Sequence, residues 1–250
     1  MSLVVYGDFT DPYSYLASRR VDALVAAGVE VDWRAVEGDR RVPVSGRLLD
    51  AEQSAAVKEE LAAVTEWLLS GEDLPHAPPS MVPRTEAAVS GYAEAYGAGV
   101  ADDVRRLLFD AYWVRGVDVG SPGELRTLLA GPILRGQATA HPLREFGYAV
   151  TVNREPITTG AYRRIRAWRA DWIDLRAGTL PTLVEDGRVV AGPAAVERLA
   201  QEITRLGIAA YPAGLPDPAR YPEVGVRPHV AWVSQVGRPW VYGLRARAPR

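Results

Sequence analysis

The chain predicts an α/β fold in which a long all-helical segment interrupts a small sheet. Three observations predict it. The first 36 residues alternate strand, helix and strand; more than a hundred residues without strand patterning follow; and a hairpin with a terminal helix closes the pattern near residue 206.

The opening run 3–9, "LVVYGDF", reads as a strand, and "VEVDWRAV" (29–36) alternates apolar with polar as a second. Between them, residues 12–27 repeat Tyr15, Leu16, Val21, Leu24 and Val25 near a 3.6-residue period, with Gly28 as the stop. A right-handed crossover makes these two strands parallel. Asp50 and Gln53 form a capping-box pattern for a helix whose Val57, Leu61, Val64 and Leu68 share one face. "PHAPPSMVP" (75–83) is a proline-rich connector, 84–96 a helix ended by Gly97, and 101–115 a helix with Val104, Leu107, Leu108, Ala111 and Tyr112 inward. Ser121, Pro122 and Glu124 open the next helix as cap, first residue and third residue. The run 158–176 sets Tyr162, Ile165, Trp168 and Trp172 along an inward stripe, with arginines opposite. "TLPTLVEDGRVVAG" (179–192) carries Asp186-Gly187, a hairpin turn signal, and 193–206 is a helix with Val196, Leu199, Ile203 and Leu206 facing in. The last 43 residues hold seven prolines and read as an extended arm.

Composition narrows the chemistry. A net charge of −2 supplies no global field for nucleic acid, so the arginine- and aromatic-bearing tail "GRPWVYGLRARAPR" is read without a nucleic-acid partner. No apolar run reaches the roughly 18 residues of a membrane span, and the N-terminus lacks the basic and apolar regions of a signal peptide; a cytoplasmic location is expected. The chain has no cysteine, which excludes disulfides, thiolate nucleophiles and dithiol redox cycling by its own side chains. His76, His141 and His229 are isolated and lack metal-ligand spacing, so no metal is expected.

The candidate site is the strand–turn–helix junction "DFTDPYSYLA" (8–17) together with "GTLPTL" (178–183), a proline immediately before a distant strand. Asp11 reads both as a helix N-cap and as a general acid or base of raised pKa. Thr10 offers a hydroxyl at the strand end, Tyr13 a phenol at the cleft mouth, and Ser14 a hydroxyl one turn into the helix. Trp67, Tyr112 and Trp113 fit a core as well as an apolar pocket. Arg163, Arg164, Arg166 and Arg169 form a stripe that suits a carboxylate or phosphate, or simply water.

Three pieces in order carry a resemblance over residues 3–206: "DFTDPYSYLA", "LLFDAYWVRGVDVGSPGEL" and "GTLPTLVEDGRVVAGPAAVERL". They resemble the DsbA-like thioredoxin superfamily, in its branch of dithiol–disulfide isomerases, 2-hydroxychromene-2-carboxylate isomerases and kappa-class glutathione transferases. The resemblance implies a thioredoxin-like fold with an inserted helical domain: residues 1–40 and 177–207 as the two halves of the thioredoxin-like part, 41–176 as insertion and return helix, and 208–250 as an extension. It further implies that Pro181 is cis and faces the junction. The Leu180 backbone is then free to pair with glutathione or a peptide, Thr10, Pro12, Leu180 and Pro181 contact that ligand, and the assembly is a homodimer. Where redox members carry Cys-Pro-x-Cys, this chain has Asp11, Pro12, Tyr13 and Ser14; the isomerase and transferase branch resembles Ser-Pro-Tyr-Ser there. That branch also holds the glutathione γ-glutamyl group with a Ser-Asp pair, where this chain has Gly192-Pro193-Ala194-Ala195. Three readings stay open. One is a ligand site for a low-molecular-weight thiol serving isomerase or transferase chemistry with Asp11, Tyr13 and Ser14. The second is a non-catalytic peptide- or partner-binding module. The third is a thiol-independent isomerase or hydrolase based on Asp11.

Overall fold

The computed structural model describes residues 3–75, 79–136, 149–150 and 156–210. Strand β1 (Leu3–Gly7) pairs in parallel with β2 (Val31–Ala35), with helix α1 (Pro12–Ala26) as the crossover. Late in the chain, β7 (Thr182–Glu185) pairs antiparallel with the other edge of β1, and β8 (Arg188–Ala191) pairs antiparallel with β7. The resulting four-stranded sheet runs β2-β1-β7-β8, so the first and last segments of the chain share one sheet. Its inner strands are β1 and β7, and Leu3 (1% exposed) and Val5 (0%) of β1 are buried in the core.

The hairpin forms where the sequence predicts it. Asp186 at φ 47° and Gly187 at φ 80° both take the left-handed conformation that a tight turn between right-twisted strands demands.

Between the two halves lie the short ribbon β3 (Arg47–Leu48) with β4 (Met81–Val82) and helices α2 (Ala51–Thr65), α3 (Glu86–Gly97), α4 (Ala101–Trp113) and α5 (Pro122–Gly136). A second ribbon, β5 (Ala149–Val150) with β6 (Pro156–Ile157), precedes α6 (Thr159–Asp174). Among the described residues, the regular structure of segment 41–176 is thus helical apart from two ribbons of two residues per strand. The capping box predicted for α2 is present in full, Asp50 accepting from the Gln53 N–H and Gln53 from the Asp50 N–H.

Helix α7 (Pro193–Leu206) packs beside α1, burying Val196, Leu199 and Ile203 at 2% exposure or less, and Gly207 ends it at φ 63°. Each such side chain, fully withdrawn from water, contributes roughly 1.5–3 kcal/mol. Helix α6 lies against the opposite sheet face, where the Trp172 Nε1 donates to Thr182 Oγ1 at 3.0 Å and Arg34 of β2 bridges to Asp171 at 2.9 Å.

Several boundaries move. Strand β1 stops at Gly7, not at Phe9, because Asp8 turns inward as an acceptor and the Asp11 N–H returns to the Asp8 carbonyl at 3.3 Å. The second strand is shorter at both ends than 29–36. Gly97 is the last residue of α3 and not its stop; the left-handed turn falls at Gly99, φ 77°. Gly97 lies under the Arg164 guanidinium, 2.8 Å from Nη1 to a Cβ built on it, a contact that the long arginine side chain can relieve by shifting. Tyr162, expected inward, is 38% exposed, and the neighbouring Ala161 takes the buried position. Of the arm predicted from 208, only residues 208–210 fall among the described residues, and Ala210 is buried.

Candidate functional site

The junction is held by two carboxylates with different surroundings. Asp11 is the N-cap of α1, with Pro12 at the first helical position, an arrangement local sequence alone favours. Its Oδ2 accepts from the Ser14 N–H at 2.6 Å and also from the Ser14 hydroxyl. Burial pushes the Asp11 carboxyl up to about 7; the hydrogen bonds from Ser14 pull against that, and the negative charges of Asp8 and Glu60 add to it. Oδ1 has no partner among the described residues, and Asp11 as a residue is half-buried.

Asp8, 3% exposed, is the residue that sequence reasoning missed. Its Oδ1 accepts from the Thr10 N–H at 2.8 Å and the Thr10 hydroxyl at 2.9 Å; its Oδ2 accepts from the Gly38 N–H at 2.6 Å and the Thr85 hydroxyl at 3.0 Å. One side chain therefore ties the junction to the loop after β2 and to the start of α3. Burial raises its pKa against the pull of those four bonds. The available signal was an Asp closing an apolar strand run; its distant partners Gly38 and Thr85 have no local pattern to announce them.

The predicted residues do not all face one way. The Thr10 hydroxyl is committed to Asp8. Ser14 is fully buried: its hydroxyl donates to Asp11 and accepts from the Asp8 N–H at 3.3 Å, so it braces the turn from inside. Pro12 is buried under the turn, while Tyr13 is half-buried. Burial, with Glu60, Asp11 and Glu66 nearby, raises the Tyr13 phenol above its ordinary pKa. Trp113 belongs to the core and supports the junction, its Nε1 donating to the Phe9 carbonyl at 3.0 Å; Tyr112 donates to the Met81 carbonyl at 3.1 Å. Trp67 is half-buried against that core. The three histidines lie outside the described residues.

The Leu180–Pro181 peptide bond is cis, Pro181 is buried, and the Pro181 carbonyl accepts from the Gly192 N–H at 2.8 Å. Leu180 itself is half-buried, and its own N–H and C=O have no hydrogen-bond partner among the described residues. A Cβ built on Gly38 would lie 3.1 Å from Asp8 Oδ2 and 3.3 Å from Leu180 Cδ1, so tertiary folding sets residue 180 against the junction at residue 8. The Leu180 side chain and the braced Asp8 carboxylate thus meet at Gly38, while Ser14 links Asp8 to Asp11 and its free oxygen.

A separate cavity of about 540 Å³ opens beside the start of β2, lined by Glu30, Trp33, Tyr96, Asp102 and Arg106 among others. Asp32, Asp102 and Asp103 around it are already paired with Arg34, Arg105 and Arg106. Among the described residues no cluster of three His, Asp or Glu side chains could hold a metal ion, and no helix is long and apolar enough to cross a membrane.

Solved structures with this fold include a 2-hydroxychromene-2-carboxylate isomerase (21% identity, TM-score 0.55, covering 83% of this chain and 96% of that one). A probable DsbA oxidoreductase from Streptomyces coelicolor is similar at 19% identity and TM-score 0.56, over 83% of this chain and 90% of that one. The cytosolic disulfide reductase DsbM from Pseudomonas aeruginosa matches at 15% identity and TM-score 0.51, over 82% and 100% of the two chains. No curated protein matches the chain. The model of the DSBA-like thioredoxin domain matches residues 2–155, more than half the chain; the chain belongs to the DSBA-like thioredoxin domain family.

Proposed function

We propose that this protein binds a small peptide-like ligand, a low-molecular-weight thiol of the glutathione type, in the cleft between the Asp11-Pro12-Tyr13-Ser14 turn and Leu180-Pro181. The observation that carries this reading is half-buried Leu180, whose backbone N–H and C=O have no partners among the described residues and whose side chain meets Asp8 across Gly38. An extended peptide satisfies both groups at once, as a strand added to an edge does. A thiol ligand also supplies the thiol group this chain lacks. Support comes from two similar structures, one named as an isomerase and one a DsbM determined with GSH (14% identity, TM-score 0.51).

Asp11 decides how the thiol is treated. An ionised carboxylate would repel a thiolate, but with its pKa near 7 Asp11 is protonated in a large share of molecules at neutral pH. In that form it donates a proton to the ligand through its free oxygen. Tyr13 lines the mouth as a second donor, and Ser14 holds Asp11 in place. The reaction class that fits is isomerisation or conjugation, since with no cysteine the chain takes up no electron pair from a dithiol.

A thermal-shift titration with glutathione, mycothiol and bacillithiol tests this. At a hundredfold excess over Kd, binding to the native state adds about 2.7 kcal/mol of stability. A rise with one of them supports the reading and names the thiol; no rise with any refutes it. The second reading, an Asp11-based enzyme that needs no thiol, draws on the same raised carboxyl pKa. It requires turnover that survives thiol scavengers and is lost in Asp11→Asn.

A further inference from the structure

Three guanidinium groups converge on Glu37, immediately before Gly38 in the loop that closes over Asp8. Arg40 Nε and Arg84 Nε each reach its carboxylate at 3.0 Å, and Arg84 also lies 3.3 Å from Glu86. Arg169, from α6, takes only the Glu37 carbonyl, through Nη1 at 3.3 Å, and has no carboxylate partner among the described residues. The cluster therefore leaves one positive charge over. Arg169 is half-buried, and both its burial and the field of Arg40 work against its charge. A guanidinium in that position, with most of its N–H fork unused, gains from an anion. The cluster abuts the cleft, because Gly38 lies against Leu180 Cδ1.

We infer that Arg169, with Arg40 beside it, forms a carboxylate-binding subsite at the rim of the Leu180 cleft and takes the terminal carboxylate of a peptide-like ligand. The inference rests on the backbone-pairing reading of Leu180 and gives that ligand a direction: reactive end toward Asp11, carboxylate toward α6. A single surplus charge suits a monoanionic carboxylate better than a phosphate dianion. It also places recognition on the arginine stripe of α6, away from the residues after β8, where the chain has no polar side chain from Gly192 to Ala195.

The test is calorimetric titration of the full chain with glutathione, its glycyl ethyl ester and S-methylglutathione, repeated on Arg169→Gln and Arg169→Lys. The ester is expected to bind the wild type about tenfold more weakly than the acid, the size of one charge-assisted pair. Arg169→Gln should bind acid and ester alike, at the ester's wild-type affinity, and that unchanged ester affinity shows the cleft is intact. Arg169→Lys should keep part of the preference. Equal binding of acid and ester by the wild type, or a preference that persists in Arg169→Gln, overturns the inference and leaves the Leu180 site standing. S-methylglutathione binding as well as glutathione removes the thiol from the reading, while the acid–ester comparison alone decides the carboxylate subsite. Failure of all three ligands to bind overturns both.

Discussion

Asp11 and Asp8 show how differently two carboxyls three residues apart can be treated. Asp8 receives four donors; Asp11 receives two, both from Ser14, and keeps one oxygen free. The folded pKa of Asp11, about 7, lies above its unfolded value near 4, so the fold prefers the protonated form. Stability from this group is fully present below pH 4 and is lost as the pH rises through 7. Three pKa units correspond to about 4 kcal/mol, an upper limit for a half-buried residue that water partly screens. Asp11→Asn keeps the cap but cannot ionise. It should therefore be more stable than the wild type at pH 8, by less than that limit, with the advantage gone at pH 4; urea titrations at the two pH values would show it. Asp8→Ala should cost more than Asp11→Asn at any pH, because it removes the shared acceptor of Thr10, Gly38 and Thr85 and strands the buried Thr85 hydroxyl, which alone costs about 1–3 kcal/mol.

Among the elements, two glycines separate backbone demands from packing demands. Gly187 sits at φ 80° in the β7–β8 turn with nothing within 4 Å of a built Cβ. Gly187→Ala should cost about 1–2 kcal/mol through the left-handed conformation alone. Gly7, at the end of β1, has no unusual φ, yet a Cβ there would lie 2.3 Å from Trp33 Cζ2 and 3.3 Å from Ser14 Oγ. Gly7→Ala should cost at least the roughly 1–3 kcal/mol typical of overpacking and should disturb the junction. Thermal unfolding of the two variants compares these costs. A ligand titration would separate them further, since only the Gly7 change should weaken binding at the Leu180 cleft.

At the scale of the whole molecule, the segment after α2 is fastened to the sheet-bearing part by a buried cation. Arg20 of α1, with 0% side-chain exposure, pairs with Glu72 (2%) at 2.7 Å, donates to the Val196 carbonyl at 2.6 Å, and also donates to the Trp67 carbonyl. It thus joins α1, α7 and the chain following α2. Arg20→Ala leaves Glu72 buried without its partner and should cost about 3–5 kcal/mol, whereas Arg20→Met with Glu72→Gln, which removes both charges, should cost less. Melting temperatures of the single and double variants would check the ordering; a double variant no better than Arg20→Ala would show that the stranded charge is not the dominant cost.

Local information sufficed for most elements: the apolar period of α1 and α7, the capping box of α2, the Asp186-Gly187 turn and the cap at Asp11 are set by neighbours within one or two turns of chain. These are legible because capping, turn conformation and one-sided burial depend on spacing alone. The absence of cysteine likewise excludes dithiol chemistry on composition alone. What tertiary structure alone decided was which groups meet. Leu180 comes to Asp8, Thr85 and Gly38 converge on the same carboxylate, Arg169 turns from a helix stripe to the Glu37 loop, and the Ser14 hydroxyl faces inward. The first of those encounters joins residues on either side of the helical insertion, and it arises because β1 pairs with both β2 and β7. Burial, and with it the raised carboxyl pKa values of Asp8 and Asp11, follows from that closure and from no local pattern.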